Sequence, residues 1–153
     1  AGVGKSTIGA QLQIRLGEGW AYIDIDRLKH AISKKSSELR SRISHNTANY
    51  FIQQLFQHHY NVIAEEIFLP EYYQEVLRLR HENNAQIFQF FLTAPLEVLL
   101  QRDQERVVKT KGEENITKLY NLIQPVAGEI IIDTTRYSPE EIVGQIVQVI
   151  TAQ

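Results

Sequence analysis

The amino terminus of the chain carries residues that suit the binding of phosphate groups. Residues 1–7 read A-G-V-G-K-S-T, which fits the second half of the pattern G-x-x-x-x-G-K-[ST]. Glycines let the backbone turn so that successive N–H groups face phosphate oxygens, and a helix beginning here adds the positive end of its dipole. Lys5 would bring a positive charge to the β- and γ-phosphates, and the Ser6 hydroxyl would bind Mg²⁺. The segment therefore predicts a site for a nucleoside triphosphate.

The pattern is incomplete in this sequence, because its first glycine would precede Ala1. The apolar strand that leads into such a loop would also precede Ala1. We therefore expect that the sequence lacks the first strand of its domain.

Two pairs of carboxylates follow short apolar segments. Asp24 and Asp26 follow residues 20–23, and Glu65 and Glu66 follow residues 61–64. One aspartate would hold Mg²⁺ through water and the other would orient or deprotonate a hydroxyl group, with Asp26 also a candidate N-cap for a helix beginning at Arg27. The glutamates are either metal-site carboxylates or a solvated pair, and strand alternation leaves open which of them faces the site.

Arg102 and Arg106 are four residues apart, so they share one face of a predicted helix. Phosphoryl transfer needs cations where negative charge develops, and arginine suits this role. Because Asp103 and Glu105 alternate with these arginines, surface salt bridges are the alternative interpretation. The polar segment 107–115, which contains Lys109 and Lys111, is predicted to be a loop that acts as a lid.

Helical and extended patterns alternate along the chain. Helices are predicted at 5–16, within 27–59 with a break near 34–37, at 70–80, from Pro95, at 116–123 and from Ser138. Strands are predicted at 20–23, 61–64, 86–92 and 129–132. This order predicts an α/β protein with a parallel sheet between helices, in which ligands bind at the carboxyl ends of the strands.

Composition limits the classes of function. The 153 residues fit one domain, and 43% hydrophobic with 22% charged residues is typical of a globular protein. A formal net charge of −2 argues against extended nucleic-acid binding and general membrane binding. The absence of cysteine excludes disulfides and fits a cytoplasmic location. Residues 27–45 are locally basic, which favours an anionic acceptor.

The ordered set of segments resembles the P-loop kinases of small molecules. These include the shikimate and gluconate kinases, chloramphenicol phosphotransferase-like proteins, zeta-toxin-like kinases and the 5′-hydroxyl polynucleotide kinase domain. The resemblance lies in AGVGKST, IDIDRLK, NVIAEE, LTAPLEVLLQRDQER and IIIDTTRYSPEE. It implies a single domain over 1–153 with a small lid around 107–115, and a three-layer P-loop NTPase fold. The implied parallel sheet has five strands in the order 2-3-1-4-5, with its first strand absent from the sequence and helices on both faces.

The resemblance also implies roles for individual residues. Asp26 matches the aspartate that activates the acceptor, Arg102 the arginine that stacks on adenine, and Arg106 a lid arginine. The implied catalytic set is Lys5, Asp26, Arg102 and Arg106. The implied ATP site comprises Gly2, Val3, Gly4, Lys5, Ser6, Thr7, Arg102, Arg136 and Pro139. The expected Mg²⁺ site comprises Ser6, Asp24 and Glu65. One departure is Lys29, which stands where several relatives have arginine.

The implied function is transfer of the γ-phosphate of ATP, with Mg²⁺, to a hydroxyl group of a small molecule. The alternatives are a polynucleotide or nucleotide kinase and a nucleotide-binding regulator without enzymatic activity. The guanine-reading pattern N-K-x-D is absent from the sequence, which favours ATP over GTP.

Overall fold

The computed structural model describes residues 2–67, 70–106 and 110–152. Within these residues helices and strands alternate in the order α1 (Lys5–Leu16), β1 (Trp20–Asp24), α2 (Ile25–Ile32), α3 (Glu38–Gln57), β2 (Asn61–Glu65), α4 (Pro70–Asn83), β3 (Phe90–Thr93), α5 (Leu96–Gln104), α6 (Glu113–Leu122), β4 (Ile130–Asp133) and α7 (Pro139–Thr151). No helix in these three ranges is long and apolar enough to cross a membrane.

The chain forms two compact units. The terminal unit comprises Ala1–Gln11 and Phe88–Gln153, and the central unit comprises Leu12–Ile87. Helix α1 begins in the terminal unit and continues into the central unit.

The central unit is built on the parallel pair β1–β2. Its register runs from Trp20 opposite Asn61 to Asp24 opposite Glu65, so the two acidic strand ends are neighbours. The helices around this pair bury an apolar core that comprises Ile23, Ile25, Ala48, Ile52 and Leu79. Burial of these side chains fixes the strand ends that carry the carboxylates.

The terminal unit is built on the parallel pair β3–β4, in register from Phe90 opposite Ile130 to Thr93 opposite Asp133. Ala94, Leu99 and Ile116 form one buried cluster, against which Val3 packs. The segment predicted to bind phosphate is therefore anchored in this unit by an apolar side chain.

The structure confirms the α/β class and the predicted bounds of α1. The observed pairs β1–β2 and β3–β4 correspond to the neighbours 2-3 and 4-5 of the predicted order 2-3-1-4-5. The structure shows two two-stranded sheets in the described residues, and the five-stranded sheet stays a prediction.

Three local predictions need correction. Strand β3 begins at Phe90 and not at Gln86, because its partner β4 begins only at Ile130, after a turn at residues 127–128. Residues 113–115, predicted as loop, form the first turn of α6, where two glutamates suit the positive end of the helix dipole.

The third correction concerns the start of α2. The N-cap is Asp24 and not Asp26, because the backbone N–H of Arg27 donates to Asp24 Oδ1 at 3.0 Å. Asp26 instead lies in the first turn of α2. The alternation of side chains along β1 therefore ends at Asp24. Helix geometry in α2 sets the position of Asp26.

A capping box stands at the start of α7, as the spacing of Ser138 and Glu141 predicts. Ser138 Oγ accepts from the backbone N–H of Glu141, whose carboxylate accepts from the backbone N–H of Ser138. We expect Ser138→Ala to lower the free energy of unfolding by about 1 kcal/mol, measured by urea denaturation. Ser36→Ala, at an exposed serine outside the helices, is the matched control. Equal stability of the two variants would contradict the assigned cap.

Candidate functional site

Residues 2–7, the predicted phosphate loop, have the backbone geometry that their sequence predicts. Gly2 and Gly4 have φ values of +81° and +87°, in the left-handed region that favours glycine. A Cβ atom at Gly2 would also lie 3.4 Å from the carbonyl oxygen of Leu99. Helix α1 begins at Lys5, and the first N–H groups of a helix have no acceptor within that helix. These N–H groups and the positive end of the helix dipole are suited to binding an anion.

Arg102 connects the phosphate loop to the loop after β4. Its Nη1 donates to Thr134 Oγ1 at 2.9 Å and to the carbonyl oxygen of Gly2 at 3.3 Å, while Nη2 donates to the carbonyl oxygen of Thr134 at 3.0 Å. These hydrogen bonds use the edge of the guanidinium group, whereas stacking on adenine would use its face. The structure thus brings Arg102 to the predicted nucleotide-binding segment, and its contact with adenine stays a prediction.

Arg136 and Pro139 follow Thr134 along the chain of the terminal unit. Arg136 Nε lies 3.3 Å from Asp133 Oδ2, and its side chain is 75% exposed. Pro139 is the first residue of α7. The segment that Arg102 binds through Thr134 therefore also carries both residues predicted to line the other face of adenine.

Asp103 is a buried residue whose role the sequence analysis did not identify. Its Oδ2 accepts from the backbone N–H groups of Lys111 and Gly112 at 2.8 and 3.0 Å, and Arg106 Nη1 lies 3.7 Å from Oδ1. Arg106 is thus an ion-pair partner of Asp103, and its role as a catalytic cation stays a prediction. Spacing of four residues from the buried Leu99 is the sequence signal that Asp103 faces inward.

These contacts fix one end of the predicted lid segment to α5. Residues 107–109, which include Lys109, lie outside the described residues. The motion expected of a lid stays a prediction.

We expect the contact between Asp103 and residues 111–112 to persist in acid. The pKa of Asp103 lies below its ordinary value of 3.8, mainly because the Lys111 N–H donates to the carboxylate, while burial acts in the opposite direction. The stabilisation is present above pH 3.8 and is lost as the pH falls through the lower pKa of the folded protein.

An NMR titration of the Lys111 and Gly112 amide signals tests this expectation. The signals should keep their positions down to pH 3.8 and change only below it. Glu97, an exposed carboxylate on the same helix, is the internal reference. A transition of both amides at or above pH 3.8 would contradict the assigned hydrogen bonds.

In the central unit, the structure brings together the two carboxylates predicted for Mg²⁺. Asp24 and Glu65 are opposite each other at the carboxyl ends of β1 and β2, and both side chains are largely buried. No group of three or more histidine, aspartate or glutamate residues in the described ranges forms a complete metal cage. Mg²⁺ at nucleotide sites needs only one or two carboxylates besides phosphate oxygens and water, so this oxygen-donor pair fits such an ion.

A second group of charged side chains surrounds Lys29, and we call Asp26, Lys29, His45 and Glu66 the Lys29 cluster. Lys29 Nζ lies 2.5 Å from Glu66 Oε2 and 3.6 Å from Asp26 Oδ1, and His45 Nε2 lies 3.7 Å from Glu66 Oε2. Glu66 is 1% exposed, and its burial raises the pKa of the carboxyl group although the hydrogen bond from Lys29 lowers it. Glu66 therefore contacts the helix that carries Asp26.

His45 belongs to this cluster although the sequence analysis gave it no role. Its ring stacks on the ring of Tyr72, with centroids 3.5 Å apart and planes 5° apart. His45, Ala48 and Ile52 are spaced by three and four residues on the buried face of α3, a periodicity that indicates an inward-facing histidine.

His45 and Tyr72 also line an open groove of about 530 Å³ between α3 and α4. The groove is within the range of about 300–1,000 Å³ that is typical of small-molecule sites. Its other lining residues are Asn46, Asn49, Tyr50, Gln53, Glu75 and Arg78.

Comparisons with known proteins extend over nearly the whole chain. No protein-family model matches it, and no curated protein matches it. Among solved structures, the protein APE1195 is 21% identical with a TM-score of 0.75, covering 99% of this chain and 90% of that one. A protein from Chloroflexus aurantiacus J-10-fl, described as a "putative kinase", is 19% identical with a TM-score of 0.75, covering 98% and 91%.

A third solved structure is the tunicamycin resistance protein of Deinococcus radiodurans. It is 14% identical with a TM-score of 0.64, and the match covers 97% of this chain and 90% of that one. At these identities the comparisons concern the fold alone. The chain shares an α/β fold with these proteins.

Proposed function

We propose that this protein is an ATP-dependent phosphotransferase that moves the γ-phosphate to a hydroxyl group of a small molecule. The observation that carries the proposal is the phosphate loop, in which two glycines with positive φ lead into a helix beginning at Lys5. P-loop kinases and NTPases bind phosphates with this combination of glycine backbone and lysine. The likeness of the whole chain to the Chloroflexus protein supports the same class of reaction.

In this proposal, the terminal unit binds ATP. Lys5 stabilises the charge that develops on the transferring group, and Arg102 and Arg106 add further cations. Arg136 and Pro139 line the adenine. Mg²⁺, when bound by Ser6, Asp24 and Glu65, would neutralise charge on the phosphate oxygens.

Asp26 is proposed to accept the proton of the acceptor hydroxyl. Its side chain is 38% exposed, so a substrate can reach the carboxylate. Lys29 Nζ lies 3.6 Å from Asp26 Oδ1, so the carboxylate has a cationic partner. The same ammonium group limits the positions that the carboxylate adopts.

A screen of acceptor-dependent ADP formation tests the proposed function. The acceptors are monosaccharides, aminoglycosides, nucleosides, tunicamycin and short oligonucleotides with a 5′-hydroxyl group, each with Mg·ATP. Mass spectrometry should show one added phosphoryl group on a small acceptor. Transfer only to oligonucleotides would favour the polynucleotide kinase alternative, and ADP formation that no acceptor increases would contradict the proposal.

A further inference from the structure

The charge of Lys29 is compensated within the structure. Its ammonium group lies between the carboxylates of Glu66 and Asp26, and only 14% of its side chain is exposed. One ammonium group thus faces two carboxylates, so Lys29 offers no unpaired charge to an acceptor.

A neighbouring cation is paired in the same way. Arg27 Nε lies 3.3 Å from Asp24 Oδ2, so this guanidinium group also has an acidic partner. A phosphate or carboxylate group brought to Asp26 would therefore find Lys29 and Arg27 already paired with carboxylates.

The cation that lines the groove between α3 and α4 is likewise paired with carboxylates. The Lys29 cluster reaches it directly, because His45 contacts Glu66 and stacks on Tyr72. Arg78, the cation that lines the groove, forms ion pairs with Glu75 at 2.9 Å and with Glu82 at 2.7 Å. The remaining lining groups are neutral amides and phenols from Asn46, Asn49, Gln53, Tyr50 and Tyr72.

Amide and phenol groups hydrogen-bond hydroxyl groups without requiring a charge, and aromatic rings pack against the apolar faces of sugar and base rings. We propose that the acceptor is an uncharged polyhydroxy compound held in the groove between α3 and α4, and that Glu66 enforces this choice by neutralising Lys29. The inference rests on the proposed function and differs from the anionic acceptor that the basic segment 27–45 favours.

Binding of matched compounds tests the proposal without requiring phosphate transfer. The pairs are D-glucose with D-glucuronate, uridine with uridine 5′-phosphate, and glycerol with glycerol 3-phosphate, measured by saturation-transfer NMR. Excess Mg·ADP fills the phosphate loop, so that anions do not bind there. We expect the uncharged member of at least one pair to bind at least tenfold more tightly than its anionic partner.

Two variants locate the effect. Asn49→Ala should weaken binding of the uncharged compound at least threefold, whereas Asn121→Ala, at an exposed asparagine of α6, should leave it unchanged. Glu66→Gln releases Lys29 from one carboxylate and should improve binding of the anionic member about tenfold, with little change for the uncharged member. A purely structural role of Glu66 would weaken both members alike.

Binding of the uncharged and anionic compounds to the wild-type protein tests the proposal even if Glu66→Gln does not fold. Equal or tighter binding of the anionic members, or binding of no member of any pair, would overturn the proposal. The outcome of the ADP-formation screen is independent of this binding test, because the screen depends on ATP turnover and not on acceptor charge. Failure of the acceptor proposal and failure of the proposed function are thus distinguishable.

Discussion

Replacing Lys5 by alanine is expected to lower acceptor-dependent ADP formation by about 100-fold or more. The estimate corresponds to the loss of one donor that stabilises charge in a transition state. The lysine is the first residue of α1 and directly follows Gly4, whose positive φ sets the turn of the loop. Initial rates at saturating Mg·ATP and acceptor measure the effect.

The exposed Lys34 provides a matched control for this substitution. Lys34→Ala makes the same change of side chain and net charge outside the phosphate loop, and we expect it to keep the wild-type rate. Circular dichroism should show both variants folded. If both variants retained the wild-type rate, the assigned role of Lys5 would be wrong.

The second large effect is expected from Asp26→Asn. Removing a general base slows transfer by about 100- to 10,000-fold. Asparagine preserves the size of the side chain, and Lys29 keeps its contact with Glu66, so the fold should be retained. Affinity for Mg·ATP should change little, since Asp26 is not one of the residues proposed to bind ATP or Mg²⁺. Single-turnover rates and nucleotide titrations separate the two effects.

Glu18→Gln, which neutralises an exposed carboxylate of the central unit, is the control for the change of charge. It should retain the wild-type transfer rate. Full activity of Asp26→Asn on the best acceptor would show that another group takes the proton. A loss of nucleotide affinity equal to the loss of rate would instead indicate a defect in ATP binding.

Features determined by neighbouring residues were predictable from the sequence. The bounds of α1 follow from its apolar spacing and from Gly17, and the capping box of α7 follows from Ser138, Pro139 and Glu141. The carboxyl ends of β1 and β2 carry the acidic residues expected there. These signals act within one or two helical turns or along one strand, so a single sequence contains them.

Features that depend on distant residues were not predictable in the same way. Arg102 binds Thr134, 32 residues away, and Gly2, 100 residues away, and helix periodicity does not identify such partners. The contact of Glu66 with Lys29 likewise joins residues 37 positions apart. The change of N-cap from Asp26 to Asp24 reflects a helix that begins two residues before the predicted start, a difference within the usual uncertainty of helix ends.

Calorimetric titration of the intact protein with a non-hydrolysable ATP analogue tests the central claim most directly. The account predicts saturable binding that requires Mg²⁺ and is reduced at least tenfold by Lys5→Ala but not by Lys34→Ala. The absence of Mg²⁺-dependent binding of any purine triphosphate to the wild-type protein would contradict it.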